Sequence, residues 1–175
     1  MGALTEAGLD QLVARGCAGC GSKRLVFRSY LDGVVPMMGG EPVGAVTWVY
    51  DGEKFVDGVF EVRCADCQGT LFADDRCPRC DAAGALPAIL ASTNRWPAPA
   101  ACPRCELEEV RLVAMLPARV RYDGGRAEKA RTETEASDPG FHGYRVDCAD
   151  CGPVAERLDR CPLCEAPAPL RPRPG

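Results

Sequence analysis

Twelve cysteines fall in six CxxC pairs, beginning at Cys17, Cys64, Cys77, Cys102, Cys148 and Cys161, and no cysteine stands outside a pair. Two residues between thiols aim both sulfurs at one point, which suits a metal ion better than a structural disulfide. Thiolate is the ligand form, and a divalent ion held by four thiolates makes a closed, structural centre. The stretch MGALTEAGLDQLVARG carries Glu6 and Asp10 and no continuous apolar run. It does not read as a signal peptide, so a reducing cytoplasm is the expected compartment. No run approaches the length of a membrane-spanning helix.

Other chemistry is poorly represented. His142, in GFHG, is the only histidine. Alone in a turn-like stretch, it reads as a solvated side chain. No HExxH is present, and no H-x-E accompanied by PCxxC. DGGRAEK (123–129) lacks the GKS/T ending of a phosphate loop. A CxxC left free of metal has redox potential only with a lowered thiol pKa, usually from a helix N-terminus. These pairs sit among strands and turns, and the expectation is no enzymatic activity.

The elements that must position the cysteines come in two matching sets. Cys17 and Cys102 are 85 residues apart; Cys64 and Cys148, and Cys77 and Cys161, are 84 apart. CADCQGTLFADDRCPRC (64–80) and CADCGPVAERLDRCPLC (148–164) each hold nine residues between their pairs, with Arg before the second pair. Residues 17–81 and 102–165 therefore read as two copies of one module. In the first, LVFRSYL (25–31), AVTWVY (45–50) and VFEVR (59–63) have strand composition. Asp32-Gly33, Asp51-Gly52 and Asp57-Gly58 read as turns between them. In the second, VRLVAML (110–116), ARVRY (118–122) and YRV (144–146) are the strands, with a turn at Asp123-Gly124-Gly125. MMGGEP (37–42) and the polar RAEKARTETEASDPG (126–140) read as loops.

Thr5 is placed to cap a helix over TEAGLDQLVAR in residues 1–16, with Leu9, Leu12 and Val13 on one face and Gly16 as its stop. PAILAS (87–92) starts with a first-turn proline. It forms a short helix in the connector 82–101, followed by the linker WPAPA (96–100), whose Trp96 is expected to pack against a module. The tail 166–175 reads as extended and disordered. Each module is too small for a large apolar core, so a metal staple is what it needs.

CxxC, nine residues, then CPxC resembles zinc-ribbon and rubredoxin-like metal-binding knuckles. The resemblance implies a mainly β fold with small α content: two pseudo-symmetric zinc-ribbon-like β modules joined by a short helix and a Pro-rich linker. It implies ligands Cys64, Cys67, Cys77 and Cys80 for one centre and Cys148, Cys151, Cys161 and Cys164 for a second. Cys17, Cys20, Cys102 and Cys105 are left to share a third between the halves. The metal is expected to be zinc, three ions in all, and iron also suits such ligands. Many members have Gly after the second cysteine of a pair. Here Gly21 and Gly152 keep that pattern, while Gln68, Asp81, Glu106 and Glu165 do not.

A second grouping is open. Cys17/Cys20 with Cys64/Cys67, and Cys102/Cys105 with Cys148/Cys151, would close two β-ribbons and leave the last pairs to meet each other. A two-metal cluster within each copy is a third. Closing 43 residues rather than nine costs only about 1.4 kcal/mol more, too little to decide beside metal binding.

The formal charge is −4, and each four-thiolate zinc centre adds about two further negative charges. Residues 17–80 carry 7 basic against 9 acidic residues, and residues 102–164 carry 10 against 12. Arg makes up 18 of the 21 basic residues, clustered in RLVFR (24–28), RVR (119–121) and RPR (171–173). The expected role is a non-enzymatic scaffold that binds another protein within a larger complex. Nucleic-acid binding is the alternative, less favoured by the charge, and metallochaperone or maturation factor is a third.

Overall fold

A computed structural model describes residues 4–49, 58–92, 98–133, 141–157 and 160–167. The expected turn at Asp51-Gly52, Trp96, the end of the polar stretch at 134–140 and the tail beyond 167 lie outside them.

The chain is mainly β. It runs α1 (Glu6–Arg15), β1 (Leu25–Met38), β2 (Glu41–Pro42), β3 (Thr47–Trp48), β4 (Val59–Cys64), β5 (Thr70–Ala73) and α2 (Leu86–Ala91). There follow β6 (Glu109–Asp123), β7 (Arg126–Ala127), β8 (Arg131–Thr132), β9 (His142–Cys148) and β10 (Gly152–Glu156). All pairings are antiparallel, in one curled sheet of order β10-β9-β6-β1-β4-β5. β1 and β6 pair along their full common length, from Leu25↔Tyr122 to Met38↔Glu109, with Leu31 opposite Leu116 at the centre. The two cysteine-bearing segments thus share one sheet.

Four local expectations are corrected. Asp32-Gly33 is no turn, because β1 runs straight through it. Gly33 is there for space: a Cβ would come within 2.5 Å of Val46 Cγ1 and 3.0 Å of Leu116 Cδ1. VRLVAML and ARVRY form one strand across Pro117. The Pro117 carbonyl accepts from Glu133 N–H at 3.0 Å, so its missing N–H faces the gap between β9 and β8 and breaks no ladder bond. Residues 126–133 hold β7 and β8, bury Ala130 and tie Glu133 to Arg28, so they are no unstructured loop. Met37, expected in a loop, ends β1 buried, while Met38 is exposed.

Strand alternation gives the sheet two faces. On one, Leu25, Phe27, Val35 and Met37 of β1 join Val110, Leu112 and Val120 of β6 in the core. α1 covers part of it with Leu9 and Leu12; Thr5 caps the helix, accepting from Gly8 N–H at 3.1 Å. On the other face, Tyr30, Phe60, Val113, Met115 and Tyr144 form a second core under Leu86 and Ile89 of α2. Each fully buried large apolar side chain contributes roughly 1.5–3 kcal/mol.

Candidate metal centres

All twelve cysteines are unlinked thiols, and they gather into three tetrads. Within each, the four sulfurs lie within 4.8 Å of one another. The groups are Cys17, Cys20, Cys64 and Cys67; Cys102, Cys105, Cys148 and Cys151; and Cys77, Cys80, Cys161 and Cys164.

This grouping differs from the one drawn from the nine-residue cassette. Cys64 and Cys67 face Cys17 and Cys20, not Cys77 and Cys80. Cys148 and Cys151 face Cys102 and Cys105, not Cys161 and Cys164. Cys17/Cys20 and Cys102/Cys105 do not meet. Strand register is the reason. β1 sets Leu25 opposite Cys64, so the knuckle entering β1 lands on the knuckle leaving β4. β6 likewise sets Val110 opposite Cys148. The nine-residue spacer, read as a loop within one centre, contains β5 in one copy and β10 in the other. Each strand carries the last pair away from the middle pair, toward the face under α2.

All six pairs adopt one backbone shape. In five of them, the N–H four residues after the first cysteine donates to that cysteine's carbonyl, from Gly21 to Cys17 at 2.7 Å through Glu165 to Cys161 at 2.9 Å. The residue after the second cysteine has positive φ every time: Gly21, Gln68, Asp81, Glu106, Gly152 and Glu165. The four that are not glycine are the only non-glycine residues with positive φ among those described. A side chain in that region costs about 1–2 kcal/mol. Four such costs, confined to the cysteine pairs, mark the turns as shaped around their sulfurs.

The donors fit a tetrahedral metal. At a metal–sulfur length of about 2.3 Å, tetrahedral geometry sets sulfurs about 3.8 Å apart. Observed contacts are 3.5 Å for Cys17–Cys67, Cys20–Cys64 and Cys105–Cys148, 3.7 Å for Cys77–Cys161 and 3.3 Å for Cys80–Cys164. One cysteine per tetrad is poised as thiolate. The N–H groups of Cys67 and Asp66 bring Cys64 down to about 6. The Cys77 thiol, donating, brings Cys161 to about 5. At Cys102 burial pushes upward, but the N–H groups of Arg104 and Cys105 prevail and leave it near 7. Four thiolates so close repel one another, and a divalent cation relieves that repulsion. Cys17, Cys64, Cys102 and Cys148 would hold the outer metals together with their more exposed partners, while Cys77 and Cys161 are buried in the core beneath α2.

No family model, curated protein or solved structure matches the chain.

His142 is not the solvated side chain its sequence context implies. It is buried on β9, and its Nε2 lies 3.2 Å from the Ile89 carbonyl of α2. Burial lowers its pKa below the usual histidine value. Sequence reasoning missed the polar pair beneath the central tetrad, where the buried Tyr144 hydroxyl donates to Asp32 Oδ1 at 2.9 Å. Asp32 read as a turn residue, and nothing in the sequence marked its partner 112 positions away. No helix among the described residues is long and apolar enough to cross a membrane.

Proposed function

We propose that the chain is a duplicated, non-enzymatic scaffold held together by three structural four-cysteine metal centres, with zinc as the metal, and that it binds a protein partner. The observation that carries this is the gathering of every cysteine into a tetrad of metal-binding dimensions.

The duplication draws support from register. Leu31 and Leu116, 85 residues apart, face each other at the middle of the β1–β6 ladder. The irregularity at Arg28/Ser29 in the β1–β4 pairing recurs 85 residues on, at Val113/Ala114 in the β6–β9 pairing. Cys77 meets Cys161 and Cys80 meets Cys164, each 84 residues apart. A pseudo-two-fold axis through the β1–β6 centre and the central tetrad would account for these relations. An odd number of pairs per copy is then no defect, because two equivalent odd pairs complete a centre on the axis.

Binding without catalysis fits the disposition of reactive groups. The one imidazole is committed to the α2 carbonyl, and the thiols are committed to tetrads. Metal delivery fits less well, since the first cysteine of every pair is buried. For a protein partner, β5 and β10 end the sheet with no further strand among the described residues, and such edges accept an added strand.

Native mass spectrometry with elemental analysis tests the reading. Three metals per chain are expected, and chelation under reducing conditions should abolish the cooperative thermal transition, since each structural zinc is worth on the order of 10–16 kcal/mol in small modules. Two or four metals, or a melt unchanged after exhaustive chelation, overturns it.

A further inference from the structure

We propose that the sheet face beside the first outer tetrad binds single-stranded nucleic acid; this rests on reading the chain as a binding scaffold, and adds a second surface to it. The two arginine-rich stretches, RLVFR and RVR, are 91 residues apart from Arg28 to Arg119, yet they are adjacent in the β1–β6 ladder. Arg28 lies opposite Arg119, and Arg119 opposite Arg131 of β8, so three arginines stand side by side across three strands. In the next row Arg63 and Arg121 flank Val26. An open cleft of about 410 Å³ runs between these rows, lined by Arg24, Arg28, Arg63, Arg119 and Arg121 against Glu61, Asp123 and Glu128, with Arg131 outside it.

Like charges directly opposite one another oppose folding. The fold offsets much of this with Glu133, which takes a bidentate contact from Arg28 at 2.9 Å and one from Arg119 at 3.0 Å, and with Glu61, which pairs with Arg28 at 3.3 Å and with Arg63. Arg121 and Arg131 make no ion pair with a described residue and are exposed. A cluster that local stability disfavours, with its outer members left open, points to an anionic ligand.

The related end of the same face lacks it. Asp147 stands where Arg63 does, Pro36 where Arg121 does and Val113 where Arg28 does. The positive face is therefore not part of the scaffold that both halves require. Its ligand is better a phosphodiester chain than an acidic peptide. Among the described residues β1, β4 and β6 are hydrogen-bonded on both sides where their arginines stand, so no peptide can add to them, and β8, which pairs with β6 alone, is two residues long. What remains is a broad array of guanidinium groups, which pair with phosphates and stack on bases.

Fluorescence anisotropy with a labelled single-stranded DNA of about 16 nucleotides tests this. Binding is expected to weaken with salt at a log–log slope near −2, for about three phosphate contacts. The double variant Arg121→Gln/Arg131→Gln, which should fold since both side chains are exposed, is expected to lose about tenfold or more in affinity and to flatten that slope. Arg111→Gln, at the related end, should change neither. No binding, equal loss from Arg111→Gln, or competition by polyglutamate as strong as by DNA overturns the proposal. Metal content measured on the same sample separates the two readings. Three metals without DNA binding rejects this face alone, whereas DNA binding by a folded, metal-free chain keeps the face and rejects the metal reading.

Discussion

The outer tetrads and the central one use the same knuckle for different ends. Each outer tetrad closes between neighbours in one half, at the start of β1 against the end of β4, or of β6 against the end of β9. Its second cysteines reach the surface: Cys20, Cys67 and Cys105 are exposed. The central tetrad draws one pair from each half and lies in a core with Tyr30, Phe60, Val113 and Met115. Local strand pairing brings the outer ligands together, and a metal would lock what the ladder already positions. Among the described residues, no strand pairs the segments carrying Cys77 and Cys161. A metal on their sulfurs would add to the packing of Leu86 and Ile89 and the His142 contact that hold α2 over the sheet.

The sharpest test compares two buried cysteines, each the first of its pair. Cys161→Ser should remove the link between the last cysteine pairs of the two halves, which the β1–β6 ladder still joins, and uncover the apolar face beneath α2. Exposing four or five large side chains at roughly 1.5–3 kcal/mol each approaches the whole stability of a typical domain. Its urea unfolding should lose a single cooperative transition. Cys17→Ser opens a centre whose knuckles remain flanked by the β1–β4 ladder, and should shift the midpoint while keeping one transition. Equal damage from both would erase the distinction between central and outer sites.

A milder change works inside the central region without touching a ligand. Tyr144→Phe removes the donor that Asp32 Oδ1 receives at 2.9 Å. Both residues are buried, so the loss should cost about 1–3 kcal/mol in urea unfolding. Metal content should stay at the wild-type value. A fall in metal count would mean that the pair positions the cysteines, and the central site would then depend on side chains that the outer sites lack.

These contrasts also show what the sequence made legible. The strands of both halves, the α1 cap at Thr5 and the α2 start at Pro87 follow from local composition, and the capacity of the cysteines to hold a metal follows from their spacing. The pairing of tetrads does not. It depends on Leu25 meeting Cys64, a register set by ladders between distant segments, and the cassette's own short spacing pointed elsewhere. Asp32-Gly33 and Pro117 were misleading for a related reason. Residues that usually end strands are tolerated where a neighbour needs space or a ladder has a gap, and neither condition is visible from one segment. The arginine rows were present as RLVFR and RVR, but their adjacency is a property of the β1–β6 pairing.

The smallest effect asks whether the knuckles are interchangeable units. Gly21 has φ of 75° and nothing within 4 Å of where a Cβ would sit. Gly21→Ala should therefore cost only the backbone term, about 1–2 kcal/mol. Gln68, in the same outer tetrad, holds φ of 61° and Asp81, in the central one, 69°. Replacing either by glycine relieves that strain but raises the entropy lost on folding by about 0.5–1 kcal/mol, leaving a net gain of about 0.5 kcal/mol. Each also gives up a side-chain contact that trims its gain: Gln68 a bond to the Ala65 carbonyl, Asp81 an ion pair with Arg76 at 3.8 Å. If the turn is one unit used six times, Asp81→Gly and Gln68→Gly should shift stability by similar amounts in matched thermal melts. A loss at Asp81 alone would show that the central knuckle is held by its surroundings as well as by its sulfurs, and that the two kinds of site differ down to the backbone.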